Sequence, residues 1–368
     1  MSNIAYQDVE SQALEQIKKA IPNSMKMNIV RKSKGLFAEL FESKIFPNHY
    51  LACSIDGVGT KLLIAAALGK YDTVGIDLVA MCANDLATLG NAQPFLFMDY
   101  LAVQEKVELK AGDIIRGIVK GLELCETSGI FKNDVRVNFG KGETASISEM
   151  LDSFNEGFGF DLAAAMIGFV PKDFKPREIS HGDKIIALKS SGLHSNGYTD
   201  ARRFLLKGEF ESRQKVKALY KGKYSLNDKI DGKSIGEILL EPTRIYVKPV
   251  AEAAKRFSVV GVNNTGYGLK NFNRFDAKVE FVIDNVFEPQ KIFSVLQKES
   301  GFSDKEMYQT FNMGMGFFLI VSDKDSDGVL EILKNSGEDA KIVGFVKKSE
   351  KIRTILKKDK KEIVFEGY

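Results

Sequence analysis

The chain has little of what marks secreted, membrane-spanning or nucleic-acid-binding proteins. Its 368 residues include three cysteines, Cys53, Cys82 and Cys125, each in an apolar run and none at metal-ligand spacing. An odd count of thiols with no pairing pattern excludes a disulfide scaffold and fits a reducing compartment. Histidine is equally scarce, at three, so few side chains can shuttle a proton near neutral pH. An excess of one charge is also missing: 52 basic residues stand against 49 acidic ones, a net of +3. That balance does not imply nucleic acid as a partner. The longest apolar runs, such as Leu62 to Leu68, fall far short of the ~20 residues a membrane helix needs. The start, Met1 to Tyr6, lacks the charged and apolar regions of a secretory signal. These absences together place the expected protein in the cytoplasm.

What is present is ordinary globular material, 44% hydrophobic and 27% charged, in a chain long enough for two domains. The basic stretch from Lys347 to Lys361 reads as solvated surface. Its interleaved Ile352, Ile355 and Leu356 argue for a packed terminal element over a polybasic arm.

The most informative segment is Ser54-Ile55-Asp56-Gly57-Val58-Gly59-Thr60-Lys61. An apolar strand-like run ends in an acid, two glycines, a hydroxyl and a lysine, and a helix-like Leu, Ile and Ala run follows. Gly57 and Gly59 allow close backbone approach, and Thr60 and the N–H groups at the helix start can face an anion. Lys61 supplies a point charge for phosphate and Asp56 a hard oxygen for Mg²⁺. The Walker spacing is absent, and a plain structural turn is the competing reading. Downstream, Gly75 to Gly90 has helical periodicity, with Leu78, Cys82, Leu86 and Leu89 on one face and Asp77, Met81, Asn84 and Thr88 on another. Asp85 falls on the edge of that polar face. A mid-helix Asn-Asp pair is poor for propensity. Asp85 therefore reads as a metal ligand, whereas a solvated face would account for Asp77 and Thr88. A third segment, Asn138 to Ser146, follows the β-branched run Val135 to Val137 and carries Gly142, Glu143 and Thr144. Asp56, Asp85 and Glu143 are thus candidates to converge on a hard cation.

Helical spacing also marks Gly112 to Cys125, while 93–103 and 162–170 read as strands. Residues 8–20 read as a helix, and Pro171 to Asp183 as the linker. Beyond it, Lys184 to Leu188 opens a second αβ unit, and Gly208 to Gly236 is its most polar, insertion-like part. Ser190-Ser191-Gly192-Leu193-His194-Ser195-Asn196-Gly197 lies between a strand and a helix. It offers hydroxyls, an amide and N–H groups to a phosphate or ribose. His194 is either an anion donor and proton shuttle or a histidine bonded locally to hold its loop. Thr243-Arg244, after Pro242, is expected near a helix start, with the arginine fork suited to phosphate.

The Asp-Gly-Val-Gly-Thr-Lys loop, the Gly75 to Leu86 helix and the Gly142-Glu143-Thr144-Ala145 run resemble the aminoimidazole ribonucleotide synthetase family (phosphoribosylformylglycinamidine cyclo-ligases). The likeness continues through Ser190 to Tyr198, Leu239 to Pro249 and Thr310 to Gly316, in family order over most of the chain. The departures are Lys141 within the family's double glycine, Asn263-Asn264-Thr265-Gly266-Tyr267-Gly268 in place of Ile-Thr-Gly-Gly-Gly, and Arg31 to Phe37 in place of a glycine-rich loop.

The resemblance implies an α/β fold of PurM-like type in two domains. Residues 1–170 would bind ATP and Mg²⁺ and pair their sheet into a barrel across a homodimer. Residues 171–368 would hold the ribonucleotide substrate. It implies Lys61 and His194 in catalysis, and Gly57, Gly59, Thr60, Lys61, Asp77, Asn84, Gly142 and Thr144 around ATP. Ser191, His194, Asn196, Thr243, Arg244 and Thr265 would bind substrate, and Asp56, Asp85 and Glu143 the metal. Neither nucleic acid nor membrane is an expected partner. Two alternatives stay open: another ATP-using enzyme of the same fold, of thiamine-monophosphate kinase or selenophosphate synthetase type, and a catalytically silent binding homologue.

Overall fold

The computed structural model describes residues 36–128, 136–173 and 177–368 except 212, with residue 130 and parts of 13–33. Most of the helix expected over 8–20, most of the Arg31 to Phe37 loop, and residues 174–176 of the expected linker lie outside the described residues.

Five strands form the first sheet: β1 (Glu39–Phe41), β2 (His49–Gly57), β3 (Gln93–Val103), β4 (Asn138–Ser146) and β5 (Phe160–Pro171). Their order is β1-β2-β5-β3-β4, antiparallel except for the β3–β4 pair. Side chains alternate across a strand. Along β5, Leu162, Ala164, Met166 and Val170 are accordingly buried, while Ala163, Ala165, Ile167 and Phe169 stay partly exposed. The helices Asp72–Ala87 and Ala111–Leu124 cover the buried side. They approach closely because glycines face backbone at the crossing: a Cβ on Gly117 would lie 1.8 Å from the Asp72 carbonyl oxygen, and one on Gly75 2.2 Å from that of Ile114. Ala111–Leu124 shows the expected stripe of Ile114, Ile118 and Leu122.

The second sheet contains β6 (Lys184–Lys189), β9 (Val260–Asn263), β10 (Val279–Ile283), β11 (Met315–Val321), β12 (Ala340–Lys348), β13 (Arg353–Lys358) and β14 (Lys361–Phe365). A two-residue hairpin, β7 (Lys229–Ile230) and β8 (Lys233–Ser234), lies apart within the polar 208–236 stretch. The sheet runs β14-β13-β10-β12-β6-β11-β9. Strands β10 and β11 are buried on both faces, which explains their nearly unbroken apolar sequences. The terminal basic stretch is packed as expected: Leu356 and Phe365 are buried while Lys357 and Lys361 are exposed.

Two local expectations are corrected. The strand expected at 135–139 runs instead over Asn138–Ser146, so the Gly-x-Gly-Glu run is itself a strand and not a loop beyond one. Its backbone is held extended by pairing with β3 at the sheet edge. The helix expected near Thr243 begins only at Val247. The reason is that the Thr243 and Tyr246 N–H groups donate across to Asp77 and Asn84, which fixes the segment in a non-helical path.

Candidate functional site

The Asp72–Ala87 helix is buried almost all round because one side meets the first sheet and the other meets the second domain. Its polar face is therefore not solvated: Asp77, Asn84 and Thr88 are 0%, 1% and 2% exposed. Asn84 donates to the Arg244 carbonyl at 2.8 Å and accepts from the Tyr246 N–H at 2.8 Å. The Thr88 carbonyl accepts from the Gly261 N–H. These bonds join the domains.

Lys61 belongs to the same joint. Its ammonium donates to Asp77 at 2.9 Å, to the His194 carbonyl at 3.0 Å and to the Glu241 carbonyl at 2.7 Å. All three protons are used, and the side chain is fully buried. Burial lowers the Lys61 pKa, and the Asp77 carboxylate opposes that fall. The same Asp77 oxygen also accepts from the Thr243 N–H at 2.8 Å and hydroxyl at 2.6 Å. The expectation of a phosphate point charge at Lys61 is thereby corrected, since no donor is left for a ligand. Asp77, Asn84 and Thr243 are likewise committed to the joint, not open to ATP or substrate.

About two turns further along the helix, Asp85 meets a different environment. It accepts from Asn263 at 2.8 Å, and the Ser54 hydroxyl stands 3.4 Å away. Neither donor carries charge. Asp56, at the end of β2, faces it and adds repulsion. Burial is the leading cause and Asp56 a further one in raising the Asp85 pKa to about 7, against the pull of Asn263, Arg274 and Ser54. Asp56 also accepts from the Gly57 N–H at 2.7 Å. Gly59, with φ +70°, and Thr60 are exposed beside this pair, as a ligand-facing turn requires.

Glu143 does not join them within one chain. In register, Asp56 aligns with Ala164, Asp99 and Gly142, whereas Glu143 aligns with Tyr100, Ala163 and Gly57. The two carboxylates thus point to opposite faces of the sheet, three strands or about 14 Å apart. Among the described residues no group of three His, Cys, Asp or Glu side chains can hold one ion. The expected three-carboxylate convergence is corrected to a pair, Asp56 and Asp85. Gly142 and Thr144 are exposed on β4, on the Asp56 side of the sheet.

In the second domain His194 takes φ +61° and is 2% exposed. Its Nε2 accepts from the Ser191 N–H at 3.3 Å. Gly316 is required against it, because a Cβ there would lie 2.5 Å from the ring and 2.1 Å from the Tyr246 hydroxyl. Burial, then the Lys61 and Arg244 charges, lower its pKa to about 3. At neutral pH it is an uncharged acceptor, so the loop-holding alternative applies and the proton-shuttle role is corrected. The Ser191 hydroxyl is tied to the Pro242 carbonyl at 2.5 Å. Asn196, Arg244 and Thr265 are partly exposed. Arg244 pairs with Glu338 at 3.4 Å, and a Cβ on Gly266 would lie 3.5 Å from the Asn196 side chain, so those two loops meet.

Sequence reasoning missed Asn263 and Ser54 as partners of Asp85. It also passed over Asp99, which is 8% exposed with one oxygen lacking a hydrogen-bond partner and its pKa raised by burial. The available signal was a carboxylate on the core-facing side of an apolar strand. A cavity of about 460 Å³ lies between Lys270, Lys305, Arg353 and Phe365, and no expected site residue lines it.

Two mixed-sheet domains bolted by a shared helix, with a carboxylate pair beside a glycine turn, define the class of protein. The model of the AIR synthase related protein N-terminal domain matches residues 40–170, and that of the C-terminal domain residues 180–357. A phosphoribosylformylglycinamidine cyclo-ligase of Methanocaldococcus jannaschii is 36% identical over 334 residues, covering 87% of each chain. Its namesake in Methanosarcina barkeri is 39% identical over 314 residues, covering 82% of this chain and 84% of that one. The chain belongs to the phosphoribosylformylglycinamidine cyclo-ligase family. Among solved structures, a HypE–HypF complex matches with TM-score 0.58 at 14% identity, covering 96% of this chain and 98% of that one. AaThiL complexed with AMPPCP and TMP matches with TM-score 0.56 at 14% identity, covering 95% and 93%. At that identity these two speak for the PurM-like fold alone.

Proposed function

We propose that this chain uses ATP to close the imidazole ring of formylglycinamidine ribonucleotide, giving aminoimidazole ribonucleotide, ADP and phosphate, as a cytoplasmic enzyme of purine biosynthesis. The carrying observation is likeness along the chain: relatives 35–39% identical, spanning 82–93% of this sequence, bear that enzyme's name. The γ-phosphoryl group of ATP passes to the amide oxygen, the amidine nitrogen attacks the activated carbon, and phosphate leaves with that oxygen. The kinase, selenophosphate and silent-homologue readings are not favoured, since the solved structures of other name stand at 14% identity and the Asp56–Asp85 pair is retained.

The residues present fit Mg²⁺. Two carboxylates face one another with only neutral hydrogen-bond donors on the buried one, whose pKa stands at about 7. Such an oxygen-only, charge-deficient pair suits a hard cation. Held by Asp56 and Asp85, Mg²⁺ would neutralise charge on the transferring phosphoryl group. We place the ATP phosphates along Gly57, Gly59 and Thr60, with Gly142 and Thr144 further along the same side. Asn196, Arg244 and Thr265 are assigned to the ribonucleotide. Lys61, Asp77, Asn84 and Thr243 hold the two sides in register, and ring closure within one molecule needs mainly such positioning. The domain division falls between residues 170 and 171, supported by the sheet membership of β5 and β6.

We also place a second copy against the first sheet. Its uncovered side carries Cys53, Ile55, Met98, Tyr100 and Ile167, with Ile55 78% and Tyr100 44% exposed. No closed barrel forms within one chain, and β4 is an exposed edge. Apolar faces and free edges of this kind are covered by symmetric pairing. Light scattering should give about twice the 40.9 kDa chain mass, retained on dilution in high salt; a single-chain mass overturns the pairing.

The activity test is ADP release by the purified protein with formylglycinamidine ribonucleotide, beside thiamine monophosphate and selenide. Release with the ribonucleotide alone is expected. Release with either of the others instead overturns the reading.

A further inference from the structure

Arg274 is a cation with its faces covered and its edge open. It ends the 3-10 helix Gly268–Arg274, a few residues after the Asn263 that donates to Asp85. Its guanidinium carbon lies 4.2 Å from the centre of the Phe37 ring and 4.5 Å from that of Tyr368. Tyr368 in turn leans on Tyr267, with ring centres 5.0 Å apart. This gives a role to the tyrosine that departs from the family's glycine-rich segment. Stacking occupies the π faces and leaves the N–H groups in the guanidinium plane available.

Those N–H groups have no carboxylate to meet. Arg353 pairs with Glu280, Arg213 with Glu211 and Arg177 with Asp183; Arg202 donates to Tyr220 at 2.5 Å. Among the described residues Arg274 has no such ion pair, and its Nε is buried with no hydrogen-bond partner. A buried donor left unpaired is costly unless a ligand completes it.

Its position names the kind of ligand. β1 pairs with β2 with Glu39 opposite Cys53; continuing that antiparallel register sets Phe37 opposite Ile55, next to Asp56. The charge of Arg274 is felt at Asp85, yet the two groups form no ion pair. A cation and a carboxylate pair face the same space without closing on each other.

We propose that Arg274, clamped between Phe37 and Tyr368, is an anion-binding residue that takes a phosphate group in the space beside Asp56 and Asp85. This rests on the phosphoryl-transfer reading above. The phosphate comes from the nucleotide's polyphosphate or from the ribonucleotide's monophosphate, and binding to each is measured separately.

Calorimetric titration of the full chain with Mg-ATP, with the ribonucleotide and with inorganic tripolyphosphate tests it in Arg274→Gln, which keeps a planar group between the rings but no charge. Arg274→Ala is titrated with and without added guanidinium ion. Affinity for at least one phosphate ligand should fall roughly 10- to 100-fold in both variants and partly return with guanidinium. Loss for Mg-ATP and tripolyphosphate together assigns the polyphosphate; loss for the ribonucleotide alone assigns the monophosphate. Wild-type affinity for all three ligands in both variants overturns the proposal, even if thermal stability falls, because that would make Arg274 a structural clasp. So would a wild-type chain that binds none of them. If the wild type binds tripolyphosphate through Arg274 but releases no ADP with the ribonucleotide, the anion site stands and the cyclo-ligase reading falls.

Discussion

Asp77 and Asp85 sit on one helix, both buried, and have opposite fates. Asp77 has a lysine ammonium and two donors from Thr243 on one oxygen. Asp85 has an amide, a distant hydroxyl and a second carboxylate. Desolvation is common to both, so the charge of the neighbours decides the outcome. Where a cation is built in, the aspartate becomes a bolt between domains. Where it is left out, the aspartate stays short of positive charge and is available to a ligand.

The sharpest way to break this contrast is Asp85→Asn. ATP turnover should fall on the order of 10³-fold, while the chain stays folded. Stability should move the other way. The folded pKa of about 7 lies above the ordinary carboxylate value of 3.8. With rising pH the unfolded chain therefore releases this proton first, and stability is lost progressively up to about pH 7. The full penalty, on the order of 4 kcal/mol, is present above that pH and absent below the unfolded value. Without divalent ions, urea unfolding should find the variant more stable than wild type at pH 8, with the gain shrinking at pH 5. Unchanged turnover at saturating Mg²⁺ would remove Asp85 from the site.

Lys61→Met tests the closed member of the pair. It strands Asp77 in the interior and should cost about 3–5 kcal/mol in urea unfolding. The double variant Lys61→Met, Asp77→Leu should recover part of that loss. Little change in stability together with a large rise in KM for ATP would return Lys61 to the phosphate.

Arg244→Ala should weaken ribonucleotide binding by roughly 1.5–3 kcal/mol and leave ATP binding nearly unchanged, measured by separate titrations. Equal losses would erase the division of labour between the domains. The smallest effect is expected for Ser54→Ala. Its hydroxyl is 3.4 Å from Asp85, so the loss in urea unfolding should stay below about 1 kcal/mol; a larger one would make Ser54 a principal support of the pair.

Several of these features were legible from spacing alone. Period-two strands at 93–103 and 162–170, the Ile114–Ile118–Leu122 stripe, and the pairing of an acid with glycines before a helix all follow from local geometry. The Gly-x-Gly-Glu run misled because glycine reads as a turn signal, while pairing at the β3 edge holds it extended. His194 left two readings open, and only the surrounding burial and cations chose between them.

The sequence by itself determined the elements, the family, and the placing of Asp56 and Asp85 among candidate ligands, because these rest on residue type and short-range periodicity. Only the tertiary structure decided which carboxylate meets a cation. Lys61 reaches Asp77, His194 and Glu241 from across the domain boundary, and Glu143 is turned away by strand register. The solvation and charge around a buried group come from residues far along the chain, and no local pattern encodes them.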